Sequence, residues 1–368
     1  MKLSQLAAAA VAFLAGSAAD SAFAANDPDV VWQGNFDDGP SSLGGHCSVG
    51  DNGWCHAQTI RAGQIQLVNP PAFGGTGLAA RMEVKYGDVY PTYSDERTLI
   101  TPPLSMWESD GNERWYRWQA LWPDGWVGSY PKWDQLTDPT ARSPAGSIVE
   151  WHHDANGGIE TGSAPLYIGA NDTDITMCLV DQATSTCREV IILTPLLRNH
   201  WHDFVMHAKW SANPSVGYLE MWIDGVNVLP THRGPNMYPG MRNYLIAGLY
   251  RNGHIGDPNL IWPPGTPLAG THVYGSDGAP GVVYLDGFIA GMTRAAVEPP
   301  TPPPPPTDGG TTGGGTVIPI PATPTTPPTV STRASFMGAG GCASSGRQGA
   351  WLALPVIGLL ALRRRRRA

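Results

Sequence analysis

Residues 203–228 read DFVMHAKWSANPSVGYLEMWIDGVNV, and this stretch contains the pattern that decides the fold. Apolar side chains occupy every second position over 204–210 and again over 219–223. Strict alternation of this kind is typical of a β-strand with one buried face. Asp224-Gly225 follows the second run and is a strong hairpin signal before a returning strand. The stretch therefore predicts three consecutive antiparallel strands.

The same pattern extends in both directions from this hairpin. Further short apolar or aromatic runs lie at 115–122, 244–250 and 282–288, with turn residues between them, and long helix-forming runs are absent. Many short strands of this kind indicate a sandwich or jelly roll. We therefore predict one all-β domain over residues 27–297, a β-jelly roll of the concanavalin A-like sandwich type, followed by a disordered proline-rich stalk.

The first 24 residues have the composition of a signal peptide. Lys2 supplies a positive charge, Leu6 to Leu14 form an apolar run too short to span a bilayer, and Ala22-Phe23-Ala24 ends the segment with small residues at the two positions that signal peptidase reads. The expectation is removal of 1–24 by signal peptidase, with export of the mature chain. The alternative is an uncleaved membrane anchor.

A proline-rich linker and an apolar tail follow the domain. Residues 298–336 are dominated by Pro, Thr and Gly, which predicts an extended spacer without a core. Residues 337–368 contain Gly340-Gly341-Cys342, then a short apolar run, then five consecutive arginines. This order resembles the C-terminal sorting signals of Gram-negative bacteria, of the myxobacterial Gly-Cys type.

The resemblance of the tail implies a location in the envelope. The apolar segment would be a short transmembrane helix that holds the chain transiently in the inner membrane, with the arginines on the cytoplasmic side. A C-terminal sorting protease would then cut near Cys342, which leaves the domain at the cell surface or secreted from a Gram-negative bacterium. A plain C-terminal membrane helix is the alternative.

The cysteines agree with an oxidising compartment. Cys47 and Cys55 are close in sequence, as are Cys178 and Cys187, so two local disulfides are the simple pairing. Zinc is the rival interpretation, although neither pair has the Cys-x-x-Cys spacing. The formal net charge of −8 gives no reason to expect a nucleic acid partner.

Five short motifs occur along the chain in an order similar to that found in a known family. They are Ile148-Val149-Glu150-Trp151-His152, Trp201-His202-Asp203, Trp222-Ile223-Asp224-Gly225, Gly248-Leu249-Tyr250-Arg251 and Tyr284-Leu285-Asp286-Gly287. The series is similar to that of jelly-roll polysaccharide lyases related to heparin lyase I and glucuronan lyase. The resemblance implies a role in carbohydrate metabolism, namely β-elimination on an acidic polysaccharide that contains uronic acid.

The resemblance also assigns roles to individual residues. His152 and Tyr250 take the catalytic positions, and Glu150, Tyr244 and Arg251 join them in substrate binding. Two departures qualify the match: Ile246 stands where heparin lyase I has a lysine, and Glu150 stands where a glutamine is usual. The uronate carboxylate must be neutralised before the C5 proton can leave. We assign that role to Arg97, Arg117 and Gln119.

Calcium is the one cofactor that the residues suggest. Asp37 and Asp38 follow the first strand and Asp286 lies in the last, and these strands are often neighbours in a closed jelly roll. Carboxylate oxygens gathered there would suit a hard cation.

Two other functions fit the same fold. A glycoside hydrolase would need two carboxylates across the scissile bond, and the nearest pair here is Glu150 with Asp154. A non-catalytic lectin-like module would stack sugars on exposed tryptophans, for which Trp122, Trp126 and Trp133 are the candidates. Fold alone does not decide among the three.

Overall fold

The computed structural model describes residues 27–85, 88, 90, 96–124, 126, 146–154, 163–251 and 281–298, with the backbone alone at 146, 251 and 332–333. The predicted signal peptide, most of the linker, the sorting tail with Cys342, and Trp133 lie outside the described residues. Within the described part of the chain, no helix is long and apolar enough to cross a bilayer.

The described residues form seventeen strands and very little helix. The strands are β1 (Val30–Gly34), β2 (His56–Gln58), β3 (Ile65–Val68), β4 (Ala79–Val84), β5 (Glu96–Thr101), β6 (Trp107–Glu108), β7 (Glu113–Leu121), β8 (Gly146–Asp154), β9 (Leu166–Ala170), β10 (Asp174–Asp181), β11 (Thr186–Pro195), β12 (Trp201–Lys209), β13 (Tyr218–Ile223), β14 (Val226–Arg233), β15 (Arg242–Arg251), β16 (Gly281–Gly291) and β17 (Thr332–Arg333). Short 3₁₀ turns span Gly39–Leu43, Phe73–Gly75 and Leu104–Met106, and one α-helix, α1, spans Arg294–Val297.

The strands form two antiparallel sheets. Sheet A has the order β14-β13-β12-β7-β16-β4-β3, with β1 added on β16, and sheet B has the order β17-β11-β10-β9-β8-β15-β5-β2, with β6 added on β15. The first and last strands of the domain are neighbours, since β1 pairs with the C-terminal half of β16. The all-β jelly-roll sandwich predicted from the sequence is confirmed.

The alternating residues of the central hairpin form part of the core between the sheets. Phe204, Met206 and Ala208 of β12 have no exposed surface, and Leu219 and Met221 of β13 are buried beside them. The turn between β13 and β14 has positive φ at both central residues, 51° at Asp224 and 76° at Gly225. Two positive φ values are the signature of a type I′ turn, whose twist matches that of the flanking strands.

Both predicted disulfides are present. Cys47 is bonded to Cys55 and Cys178 to Cys187. The zinc alternative is therefore wrong for both pairs, because a sulfur held in a disulfide is not a thiolate ligand.

Two of the tryptophans proposed for sugar stacking are not available for it. Trp122 and Trp126 are 0% and 3% exposed. They pack edge to face with ring centroids 6.4 Å apart, and Trp122 also contacts His202 and Phe204. The expectation that they are exposed platforms was wrong, because both rings belong to the buried core, where their large apolar surface stabilises the fold.

Candidate active site

The outer face of sheet B carries most of the residues that the sequence singled out. Along β8 the side chains of Glu150 and His152 share this face, since residues two apart on a strand point the same way. Opposite them on β15, Ile246 pairs with Glu150 and Tyr244 pairs with His152. We call this surface of β5, β15 and β8 the candidate face.

Tyr250 and Arg97 form one end of the candidate face. They are directly opposite each other on β15 and β5, and the Arg97 guanidinium carbon lies 4.7 Å from the centroid of the Tyr250 ring. Both side chains are largely buried, at 8% and 7% exposed. A cation is thus held against a phenol in a site with little access to water, where electrostatic interactions are stronger than in bulk.

The backbone of Arg97 is fixed from the other sheet. Gln64 donates from its amide nitrogen to the Arg97 carbonyl over 3.1 Å and to the Thr98 hydroxyl over 2.7 Å. Thr98 in turn donates to the Glu83 carbonyl on β4 over 2.7 Å. These buried bonds tie β5 to the edge of sheet A, so the position of Arg97 is set by both layers of the sandwich.

A bulge lies between the Glu150 row and the Tyr250 row. Gly248 and Leu249 of β15 stand opposite a single residue of β8, because Ala247 pairs with Val149 while Tyr250 pairs with Ser147. Gly248 has φ +133°, and a Cβ at this position would be 2.1 Å from the Thr98 carbonyl oxygen. Only glycine fits so close an approach. The bulge brings Ser147 to the candidate face, where its hydroxyl donates to Glu150 Oε2 over 3.1 Å.

His152 belongs to a second polar group on the same face. Its ring is 5.7 Å from that of Tyr244, and the Tyr244 ring stacks on Trp107 of β6 at 5.5 Å. Arg242 lies over Trp107 at 4.2 Å and donates to Asp154 Oδ2 over 2.6 Å. The Ile246–Glu150 pair separates this group from Tyr250, so His152 and Tyr250 share a face without being cross-strand neighbours.

Arg117 and Gln119 are placed elsewhere. They lie on β7 in sheet A, on the outer face that points away from sheet B. Arg117 forms a bidentate ion pair with Asp203, at 2.8 and 3.0 Å, and the Gln119 amide donates to the same carboxylate over 2.6 Å. The structure therefore does not bring these two residues to His152 and Tyr250.

Arg251 is described only in its backbone, which pairs with Glu96 of β5. Its side chain is outside the described residues.

The three aspartates proposed for calcium are only partly together. Asp286 Oδ2 accepts from Phe73 N over 3.0 Å and Oδ1 from Gly287 N over 2.8 Å, while Asp37 Oδ1 accepts from Leu78 N over 2.8 Å. Burial, followed by the nearby charge of Asp37, raises the pKa of Asp286 to about 7.

Asp38, the third of these aspartates, lies elsewhere. It lines a cavity of about 330 Å³ together with Gln33, Asn35 and His46.

One oxygen beside Asp286 suggests that this corner suits a cation. Gln119 stands opposite Asp286 in the sheet, and among the described residues its Oε1 is buried without a hydrogen-bond partner. A buried carbonyl oxygen that lacks a donor is costly unless something else pairs with it. Carboxylate and amide oxygens are the ligands that Ca²⁺ takes. The oxygens of Asp37, Asp286 and Gln119 are therefore the ones that would hold a calcium ion at this corner.

Sequence reasoning missed several residues of the candidate face. Arg242 could have been found, since it is two residues before Tyr244 on the same strand and so shares its face. Ser147 could not, because the bulge changes the parity between it and Glu150. Trp107 lies on a strand of two residues, which is too short to show a pattern.

The comparison with sequence models of known families identifies one family. The sequence model described as "Polysaccharide lyase" matches residues 47–265, more than half of the chain. No curated protein matches. Among solved structures, the chain is similar to the endo-β-1,4-glucuronan lyase of the fungus Trichoderma reesei, with 19% identity over 67% of this chain and 94% of that one and a TM-score of 0.46.

Two further solved structures show similar coverage. The PL-14 alginate lyase of Aplysia kurodai is 9% identical over 71% of this chain and 98% of its own, with a TM-score of 0.41. The GH131 β-glucanase catalytic domain of Podospora anserina is 11% identical over 73% and 98%, with a TM-score of 0.41.

Proposed function

The chain belongs to the polysaccharide lyase family, and from this premise we propose that it cleaves a uronic-acid-containing polysaccharide by β-elimination on the candidate face. In this reaction a base removes the proton from C5 of the uronate, the electron pair forms the C4–C5 double bond, and the C4–O4 bond breaks. The departing O4 then takes a proton from an acid.

The observation that carries the proposal is the contact between Arg97 and Tyr250. The carboxylate that must be neutralised is attached to C5, the same carbon that loses the proton. The cation and the proton-transfer group must therefore be adjacent, and Arg97 and Tyr250 are, at 4.7 Å. Arg97 would pair with the carboxylate and stabilise the charge that develops on it. Tyr250 would move the proton.

His152 is the second catalytic group in the proposal. Imidazole accepts a proton near neutral pH. A polymer that touches both His152 and Tyr250 must cross the Ile246–Glu150 row, where Glu150 and Ser147 offer oxygens for sugar hydroxyls. The rings of Tyr244 and Trp107, which stack on each other beside His152 and are half-buried, would add exposed apolar surface for a sugar.

We propose that the protein acts outside the cytoplasm. Two disulfides in one domain support this, because such bonds persist in oxidising compartments and are rare where glutathione keeps thiols reduced. The signal peptide, the stalk and the sorting tail proposed from the sequence would complete the route to the envelope.

Calcium enters as a proposed structural ion at Asp37, Asp286 and Gln119, remote from the candidate face because these residues belong to sheet A or to the loop after β1. Addition of Ca²⁺ to chelator-treated protein should raise the Tm, and Asp286→Asn should remove the increase. An equal increase in Asp286→Asn would contradict this assignment.

The function is tested by product analysis on a panel of uronate polymers, including glucuronan, alginate and glycosaminoglycans. Elimination gives an unsaturated sugar that absorbs in the ultraviolet, whereas hydrolysis gives reducing ends without that absorbance. We expect the absorbance with at least one polymer. Reducing ends alone would replace the lyase proposal by a hydrolase, and binding without either product would favour a lectin-like module.

A further inference from the structure

Two histidines and an aspartate converge at one end of the sandwich, away from the candidate face. His200 immediately precedes β12, His202 is the second residue of that strand, and Asp224 lies in the turn of the β13–β14 hairpin. One ligand atom from each lies within 4.8 Å of the other two. Asp224 Oδ2 is 3.0 Å from His202 Nδ1 and 3.6 Å from His200 Nε2.

These separations suit a tetrahedral metal. With bonds of about 2.0–2.2 Å, two ligand atoms of a tetrahedral Zn²⁺ are about 3.3–3.6 Å apart. The two separations from Asp224 Oδ2 are 3.0 Å, slightly below this range, and 3.6 Å, at its upper end. Two imidazoles and one carboxylate are ligands that zinc and its neighbours accept readily, whereas Ca²⁺ and Mg²⁺ prefer oxygens alone.

The groups behind the ligands are already in place. Asp224 Oδ1 accepts from Asp203 N over 2.9 Å, which turns Oδ2 toward the histidines. His202 Nε2 is 3.2 Å from both the N–H and the carbonyl oxygen of Leu197. It accepts from the N–H when Nδ1–H donates to Asp224, and in the Nε2–H tautomer, which a metal on Nδ1 would select, it donates to the carbonyl. Metal-bound histidines commonly donate their other N–H to a carbonyl in this way.

Packing and backbone conformation position the three residues. His202 is 1% exposed in its side chain, and its ring packs against Trp122 at 6.0 Å. Asp224 has the positive φ of 51° that the type I′ turn imposes, and Asn199 immediately before His200 has φ 54°. By contrast the side chains of His200 and Asp224 are 49% and 38% exposed, so an ion can reach them from solvent.

We propose that His200, His202 and Asp224 form a site for a divalent transition metal of the Zn²⁺ class, with water in the fourth position. Binding displaces the proton that His202 Nδ1 otherwise shares with Asp224. The ion links the loop that enters β12 to the β13–β14 hairpin, and it takes no part in the proposed elimination reaction.

The test measures zinc binding by the full chain, free of any tag and with its disulfides intact. The protein is first treated with a chelator, and binding is then measured by equilibrium dialysis and calorimetry. We expect one Zn²⁺ per chain and a rise in Tm, with Mg²⁺ giving neither. Co²⁺ in place of Zn²⁺ should give the visible absorption of a tetrahedral ion. Since loss of an outer hydrogen bond alone costs 10–100-fold in affinity, loss of a ligand should cost at least about 100-fold.

His200→Ala is the decisive variant, because this exposed side chain can be removed without opening the core. Asp224→Asn is the second, with its hairpin checked by circular dichroism. His232→Ala is the matched control, since His232 contacts one carboxylate, Glu189, at 3.1 Å. His152→Ala tests capture by the candidate face. Both controls should retain full affinity. Three outcomes would each overturn the proposal. They are an unchanged zinc affinity in His200→Ala, a loss of zinc affinity in either control equal to that in His200→Ala, and no binding by the wild type at sub-millimolar Zn²⁺.

Discussion

The hydroxyl of Tyr250 is the group on which the proposed chemistry depends most. Its ring packs on Leu99 and Ile246, so Tyr250→Phe removes one oxygen and keeps the packing. We expect turnover to fall about 10²–10⁴-fold, the range for loss of a proton-transfer group. KM should change little, because the lost interaction is made mainly in the transition state.

Tyr284→Phe is the matched control for this change. Tyr284 also lies on a strand, β16, but in sheet A. Steady-state kinetics on the best polymer of the panel compare the two variants. If Tyr250→Phe kept more than about a tenth of wild-type turnover, Tyr250 would not be the proton-transfer group.

Two arginines on opposite faces provide a second comparison at the level of the residue. Arg97→Met should lower kcat/KM strongly, since Arg97 is the cation that contacts Tyr250 among the described side chains. Arg117→Met should leave kcat/KM near the wild-type value and destabilise the fold by about 1–3 kcal/mol, because Asp203 loses a charged hydrogen-bond partner. Kinetics and urea denaturation of both variants check the contrast. The reverse pattern would move the site to sheet A.

Among the elements, β7, β12 and β13 are joined on the outer face of sheet A by one histidine. His207 contacts Glu220 at 2.9 Å and Glu113 at 3.0 Å, and its ring stacks on Trp115 at 4.0 Å. Burial alone would raise the pKa of Glu113, but hydrogen bonds from His207, Tyr218 and Lys209 outweigh it and hold the pKa below the ordinary 4.5. The pKa of Glu220 is lowered in the same way, by Thr231 and His207 against burial.

The sign of the pH dependence follows from these lowered pKa values. A carboxylate with a depressed folded-state pKa stabilises the fold above its unfolded pKa and loses that contribution as pH falls through the folded value. His207→Gln should therefore cost about 1–3 kcal/mol near pH 7. The difference from wild type should begin to shrink below about pH 4.5, the unfolded-state value, and should be lost as the pH falls through the lower folded-state pKa values of the two glutamates.

Urea denaturation over this pH range measures the effect, with His232→Gln as a control that loses one carboxylate contact instead of two. A difference between His207→Gln and wild type that stayed constant with pH would show that the ring stacking on Trp115, and not the carboxylates, carries the stabilisation.

The elements were also what the sequence predicted best. Alternation identifies β12 and β13 because one face of each is buried, and Asp224-Gly225 identifies the turn. The same rule placed Glu150 and His152 together. It could not place Arg117, since alternation gives the face of a strand but not the sheet to which the strand belongs. That choice is made by pairing between distant strands, such as β7 with β16. Ser147 was hidden for a related reason, because a bulge shifts the parity.

At the scale of the whole molecule, the two sheets are held differently. Sheet A carries the polar networks of Arg117 and His207, while both disulfides lie on sheet B. Cys55 precedes the edge strand β2 and bonds through its backbone N–H to Thr101 of β5 over 2.8 Å. Cys178 and Cys187 join β10 and β11 toward the opposite edge. The candidate face is on β5, β15 and β8, between these two covalent links.

This placement predicts how the protein responds to reduction. Each disulfide closes a loop with a sequence separation of 8 or 9, which is worth roughly 2–3 kcal/mol on the chain-entropy model. The two are on distant strands, so their contributions should add to about 4–6 kcal/mol. Domains are typically stable by only about 5–15 kcal/mol, so the reduced protein should retain a small free energy of unfolding or unfold.

Urea denaturation with and without a thiol reductant measures the loss of stability. The reductant should have no further effect on a variant that carries four substitutions, Cys47→Ser, Cys55→Ser, Cys178→Ser and Cys187→Ser. Equal midpoints for the oxidised and reduced protein would mean that the core alone sustains sheet B, and the disulfides would then no longer support a site of action outside the cytoplasm.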